Sequence, residues 1–204
     1  ARNLHRAAQI VVAGHAGSMP SDFTALLALP GIGRSTAAAI AVFAFGARHA
    51  ILDGNVKRLF ARHFGVNGYP GDAKVAAKLW RATERELPSR NVEAYTQGLM
   101  DLGATICTRT KPRCTACPLA ADCIALKRDA IGKFPAPRPR KPLPQRCTRM
   151  LVLLNARQVL LEKRAPTGIW GGMWSLPEAA PDADMAALCA QRYGAEVATH
   201  EVMP

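Results

Sequence analysis

Acidic residues are what this 204-residue sequence most lacks: 15 Asp and Glu face 27 Lys and Arg, a formal net charge of +12. That imbalance favours a polyanion as partner, because each basic side chain near a phosphate displaces a condensed counterion. Long apolar runs are lacking too. None approaches the ~18 residues of a membrane span, which excludes a helical membrane anchor within these residues and leaves no membrane partner in the reading. No secretory signal pattern is present, so the six cysteines are read in a reducing, cytoplasmic setting, where thiols ligate metal rather than pair. An initiator Met is missing, since the chain starts Ala1-Arg2-Asn3-Leu4 and stops at Glu201-Val202-Met203-Pro204, directly after an apparent strand. The expectation is a piece of a longer protein. What is present is enough to fold: 49% of residues are hydrophobic, too many for wholesale disorder.

Four of the six cysteines, Cys107, Cys114, Cys117 and Cys123, form a C-x6-C-x2-C-x5-C run. Four thiolates in one short loop can hold a zinc ion or a cubane iron–sulfur cluster, since both take four sulfur ligands. A zinc ribbon would show two separated C-x2-C knuckles, and only one is here. The spacing alone leaves both readings open. Cys147 and Cys189 lie outside the run.

Residues 1 to about 128 read as helices. Leu4, Ala7, Ala8, Val11 and Val12 fall at helical spacing. Ser21 is placed to cap a short helix over 22–28, and an Ala-rich helix follows over 34–45. Asp53 opens another, with Val56, Leu59, Phe60 and Phe64 on its apolar face, and two more span about 72–87 and 89–104. No strand pattern interrupts them, so this region is all-α. A segment with Pro135, Pro137, Pro139, Pro142 and Pro144 among basic residues then reads as a semi-rigid linker. Beyond it, residues 150–154 and 159–161 read as two strands of a hairpin turning near Asn155-Ala156-Arg157.

Leu29-Pro30-Gly31-Ile32-Gly33 lies between two helices. Its glycines permit positive φ and leave no side chain in the way, so backbone N–H groups of the turn and of the next helix can approach a phosphate. An ordinary helix–helix corner would have the same residues, and this segment alone does not separate the two. Ile51-Leu52-Asp53-Gly54-Asn55-Val56-Lys57-Arg58 follows, a carboxylate at a helix start with a basic stripe of Lys57, Arg58 and Arg62 behind it. A lone Asp there is usually an N-cap.

In this order, L-P-G-I-G-R-S-T-A, I-L-D-G-N-V-K-R and M-D-L-G-A-T-I-C with the four cysteines resemble the helix-hairpin-helix, endonuclease III-like DNA glycosylases with an iron–sulfur loop, nearest the adenine DNA glycosylase (MutY) branch. The resemblance implies a mainly α fold: a helix-hairpin-helix glycosylase domain over 1–133, a linker over 134–147, and the start of an α/β Nudix-like domain over 148–204. It implies a [4Fe–4S] cluster on Cys107, Cys114, Cys117 and Cys123, holding a basic loop against double-stranded DNA. Residues 105–149 carry eleven Lys or Arg against two acids, which suits that role. DNA contacts fall to Leu29, Gly31, Ile32, Gly33, Arg34, Lys57 and Arg58. Asp53 becomes the catalytic carboxylate, Asn55 its orienting neighbour, and Ser35 and Gln97 belong to the substrate pocket.

Endonuclease III carries a Lys where this sequence has Ser35. An amine there forms a Schiff base with the sugar, and a serine cannot. The expectation is therefore a monofunctional enzyme, acting as a monomer, that flips adenine out of an A:8-oxoguanine or A:G mispair and hydrolyses its glycosidic bond with water. A glycosylase/lyase and a non-catalytic iron–sulfur DNA-binding module stand as alternatives. The family's general acid is a Glu on a helix well before the hairpin, and Glu84, Glu86 and Glu93 do not match its context, so these 204 residues alone are expected to be inactive. Residues 160–164 and 168–177 resemble the Nudix-like domain that contacts 8-oxoguanine in that family. Pro177-Glu178-Ala179-Ala180 lacks the glutamate cluster of a Nudix hydrolase, and Trp170 and Trp174 are read as core residues.

Overall fold

The computed structural model describes residues 1–140, 142–143, 145–194 and 196–198. They fall into two compact units, 1–140 and 141–204. Of the proline-rich segment, Lys141 and Pro144 lie outside the described residues, as do residues 199–204 of the second domain.

The first unit is helical: α1 Arg2–Gly14, α2 Phe23–Ala28, α3 Arg34–Phe45, α4 Gly54–His63, α5 Ala73–Arg85 and α6 Val92–Asp101, with a short α7 Ile124–Lys127 after the cysteine loop. Aspartates start several of them. Asp22, not Ser21, caps α2 by accepting from Ala25 N at 2.8 Å, and Asp72 caps α5 through Lys74 N and Val75 N at 2.9 and 3.1 Å. Such caps stabilise a helix by about 1 kcal/mol each.

α4 is the spine of the unit. Val56, Leu59 and Phe60 are buried against Leu79 and Ala82 of α5 and Leu99 of α6, with Phe64 half-buried beside them. Ala37, Ala38, Ala41 and Val42 of α3 are buried as well, and their small side chains let neighbouring elements approach closely. α1 follows its expected face only in part. Ala7 is buried, but Leu4 is 77% and Val12 69% exposed. After Asp101 the helix widens into a π-helical segment, Leu102–Ile106, closed by Cys107 N donating to Leu102 O at 2.7 Å. The regular helix expected to reach 104 thus stops at 101, and Gly103 explains the change. A Cβ there would lie 2.7 Å from Asn55 Cβ, so the segment is pressed flush against the start of α4.

The second unit carries three antiparallel two-stranded ladders: β1 Arg149–Met150 with β6 Glu178–Ala179, β2 Leu154–Asn155 with β3 Gln158–Val159, and β4 Glu162–Lys163 with β5 Trp174–Ser175. The hairpin turns at Ala156–Arg157, but its ladder begins later than expected, with Leu160 N donating to Leu153 O at 3.0 Å, while Met150 pairs with Glu178. Helix α8, Met185–Tyr193, packs Cys189 against Leu151 and Ala179. Trp170 and Trp174 depart from the core reading, being 60% and 64% exposed. The cause at Trp170 is its loop, which Arg164 holds outward by donating from Nε to Ile169 O at 2.9 Å while lying over the Trp170 ring.

Candidate DNA interface and cysteine site

The turn between α2 and α3 is built from the backbone. Leu29 is buried, Ile32 N donates to Leu29 O at 3.1 Å, and Gly31 sits at φ +84°. A Cβ on Gly31 would also approach Asn3 Cβ of α1 to 2.9 Å, so glycine is required there twice over. Gly33 caps α3 with no side chain, and nothing lies within 4 Å of the Cβ it lacks. The first-turn amides of α3 have no intrahelical acceptors and no side-chain cap, the arrangement an anion can use. Arg34 does less than expected. It pairs with Glu84 and lies 3.9 Å over the Trp80 ring centroid, so its charge is drawn toward α5.

One helical position later, Ser35 Oγ accepts from Leu52 N at 2.9 Å. The hydroxyl thereby fixes the backbone immediately before Asp53. Asp53 is half-buried and caps α4 through Oδ1, which accepts from Val56 N at 2.8 Å, leaving Oδ2 to face another group. The carboxylate sits at the N-terminal end of α4. Asn55 turns from Asp53 to Arg58: its Oδ1 accepts from Arg58 Nη2 at 3.0 Å. Arg58 was expected on phosphate and instead points inward, donating from Nε to Cys107 O at 2.7 Å and from Nη2 to Gly103 O at 2.5 Å. Burial lowers its pKa, opposed first by Cys107. An unbroken run of contacts therefore joins the first turn of α4 to the first cysteine. Lys57 lines a cleft of about 560 Å³ with Arg109, Arg138 and Tyr69, and Arg58 and Arg62 form part of the same wall. Gln97 is exposed on α6 and donates to Asp101 Oδ1 at 2.8 Å, a bond within its own helix.

The four cysteines converge. Cys107 ends the π-helical segment, Cys114 and Cys117 flank a single 3₁₀ turn, and Cys123 starts α7. All four are free thiols and all line one small cavity of about 20 Å³, walled further by Leu59, Ile106, Leu119 and Leu126. Burial pushes the Cys114 thiol up, and Cys107, Cys123 and Cys117 push it further. Among the described residues no three ligating side chains converge tightly enough for a single metal ion. Zinc would draw sulfurs to about 3.8 Å from one another at its ~2.3 Å bond length. Cys107, Cys114, Cys117 and Cys123 supply the four sulfurs that a zinc ion or an iron–sulfur cluster would take.

Sequence reasoning missed Arg58 and Arg62 as internal tethers. Arg62 is only 3% exposed. The available signal was spacing: Asn55, Arg58 and Arg62 follow at i, i+3 and i+7, a polar stripe bordering the apolar face of α4 rather than opposing it.

The chain is similar to known proteins along both units. Residues 149–204 match the NUDIX domain family. The adenine DNA glycosylase of Buchnera aphidicola subsp. Acyrthosiphon pisum is 38% identical over 178 residues, covering 87% of this chain and 51% of that protein. Among solved structures, a thermostable thymine-DNA glycosylase matches with a TM-score of 0.55 at 30% identity, covering 62% of this chain and 58% of the other. A non-covalent endonuclease III–DNA complex matches with a TM-score of 0.54 at 25% identity, covering 63% and 58%. The chain spans about half the length of the bacterial adenine glycosylases it matches. No described helix is long and apolar enough to cross a membrane. Over 87% of its length the chain is thus similar to adenine DNA glycosylases, and its fold is that of the endonuclease III-like helix-hairpin-helix DNA glycosylases, followed by a NUDIX segment.

Proposed function

We propose that the protein containing this chain is a monofunctional adenine DNA glycosylase, hydrolysing the N-glycosidic bond of adenine opposite 8-oxoguanine or guanine in duplex DNA. The observation that carries this reading is the Ser35–Leu52–Asp53 arrangement. At the start of α3 a hydroxyl, not an amine, is bonded to the backbone that presents Asp53. With no amine to attack the sugar, water is the nucleophile.

The steps follow from the residues. Backbone amides at Gly33 and the first turn of α3 grip a phosphate and fix the register of the duplex without reading sequence. Lys57 and the basic side chains of its cleft add charge. Adenine leaves the stack, since its glycosidic bond is unreachable within it. As that bond breaks, positive charge develops on the sugar, and the free oxygen of Asp53 faces it while the other holds the cap. The same carboxylate orients the attacking water. Asn55 acts through Arg58, keeping the first turn of α4 in place. Cys107, Cys114, Cys117 and Cys123 would hold a [4Fe–4S] cluster, which supplies a thiolate-anchored brace for the basic loop rather than a redox step in the hydrolysis.

Glu84 is held by Arg34 and Glu86 by Arg85, which leaves the proton donor to adenine unassigned among these residues. Excision by the 204-residue chain alone is therefore expected to fall short of the whole protein by at least roughly 10²–10⁴-fold, the usual worth of general acid catalysis. Single-turnover excision on an A:8-oxoguanine duplex tests the reading. The whole protein should release adenine, and Asp53→Asn should abolish release while retaining duplex binding. Borohydride trapping of a protein–DNA adduct through Lys57, at levels comparable to excision, would overturn the water mechanism.

A further inference from the structure

Arg62 makes more contacts than a merely structural arginine needs. Its Nη1 donates to Thr108 O at 2.7 Å and to Cys107 Sγ at 3.3 Å, its Nη2 to Arg109 O at 3.1 Å, and its Nε to Phe134 O at 3.0 Å. Its own carbonyl accepts from Cys123 Sγ at 3.6 Å. One residue thus touches both ends of the cysteine loop and a third segment beyond it. Phe134 is buried, and two residues later Ala136 N donates to Gly68 O at 3.2 Å, which seats the start of the proline-rich segment on the first unit. Among the described residues no carboxylate pairs with Arg62, although a buried guanidinium calls for negative charge nearby. Metal-bound thiolates at Cys107 and Cys123 would provide it.

We propose that Arg62 is a positioning residue that couples occupancy of the four-cysteine site to the seating of the Phe134–Ala136 segment. The coupling rests on the reading that this site holds an iron–sulfur cluster. When the loop is held by its metal, Thr108 O and Arg109 O stay in place, the guanidinium is fixed in one orientation, and Phe134 O keeps its donor. When the loop loosens, three of the four arms of the fan lose their acceptors together, and the fourth no longer has a fixed base. Loss of the cluster then reaches the root of the segment that leads into the second unit.

Hydrogen exchange at Ala136, measured on the 204-residue chain reconstituted with iron and sulfide, reads the coupling directly. In the wild-type chain, stripping the iron with a chelator should speed exchange by about tenfold or more, the response to losing a hydrogen bond from a charged donor. Arg62→Gln should exchange fast even when loaded and surrender iron roughly 10–100-fold faster, as loss of a partner behind a metal ligand does. It should also lower the midpoint potential, since an N–H donated to a ligating sulfur favours the more negative, reduced state. Arg62→Lys keeps the buried charge without the fan, and decides the matter if Arg62→Gln fails to fold: exchange should be fast with iron still bound. A wild-type chain that takes one zinc and no iron overturns the cluster reading and the coupling together. Iron-loaded wild type whose Ala136 exchange ignores stripping, or loaded Arg62 variants with unchanged exchange and potential, overturn the coupling and leave the cluster reading intact.

Discussion

The two units handle buried arginine in opposite ways. In the second, the largely buried Arg164 is paired with Glu178 at 2.6 Å, as the exposed Arg192 is with Glu162 at 2.6 Å, so each cation carries its own counter-charge. In the first, Arg58 and Arg62 lean on backbone carbonyls and a cysteine sulfur, with no carboxylate paired among the described residues. The second arrangement is neutral by itself. The first is complete only when something anionic joins it, and among the described residues Cys107 and Cys123 are the thiols that Arg62 touches. A self-neutral pair is a folding device. An unpaired cation beside four thiols is an assembly waiting on a ligand.

The contrast can be broken from either side. Arg58→Leu should have the largest effect, since it leaves the carbonyl of Gly103 without its donor and that of Cys107 with only the 3.4 Å bond from Arg62 Nη1, for a loss of roughly 1–3 kcal/mol. Thermal unfolding should show the loss, iron content should fall with it, and no second substitution at a carboxylate should restore either. Glu178→Leu leaves Arg164 largely buried and alone, for a loss of about 2–3 kcal/mol in the second unit. Here the partner change does help: Arg164→Met added to Glu178→Leu should recover part of the stability in chemical denaturation, short of the bond to Ile169 O. Failure to recover would mean that Arg164 acts through the Trp170 loop rather than through charge.

Gly103→Ala sharpens the comparison by moving Asn55 instead of an arginine. The added methyl, 2.7 Å from Asn55 Cβ, should cost about 1–3 kcal/mol as overpacking and loosen Arg58 from its acceptor. The smallest effect lies in the second unit. Tyr193 Oη donates to Glu162 Oε1 at 2.6 Å, and burial together with that bond and the Glu162 charge raises its pKa to about 12. A phenol whose folded pKa lies above its free value of about 10 contributes stability that is fully present below pH ~10 and fades as pH rises toward ~12. Tyr193→Phe should flatten the fall in melting temperature over that window, leaving the curve below it little changed in shape.

What the sequence disclosed and what it hid divide along physical lines. Periodicity placed α3 and α4, and turn chemistry placed Ala156–Arg157, because both report local backbone preference. The convergence of Cys107, Cys114, Cys117 and Cys123 was legible because four ligands in one loop leave few other arrangements. The destinations of long cations were not legible. Arg58 and Arg62 reach carbonyls 45 to 49 residues away, and backbone acceptors carry no signature in a side-chain pattern. Arg34 was drawn to Glu84 and Trp80 for the same reason. Ser21 and Asp22 compete for one cap, and the helix begins where the carboxylate wins. Trp170 and Trp174 were assigned by composition alone, which favours burial for large aromatics but says nothing of an Arg164 that holds the Trp170 loop outward.

The π-helical segment also sets the angular phase of everything that follows it. An α-helix turns about 100° per residue, so a single residue more or fewer rotates each later side chain by that amount around the axis. Leu102–Ile106 absorbs one residue beyond the regular spiral just before Cys107. Deleting one residue there would let the helix run on undistorted, yet it would swing the first cysteine by about 100° from its three partners. Helical content would be kept and the cavity would lose a wall. The irregular turn works as a vernier: it lets a helix whose other faces are fixed by the core bring its last residue to a bearing that the regular spiral does not offer.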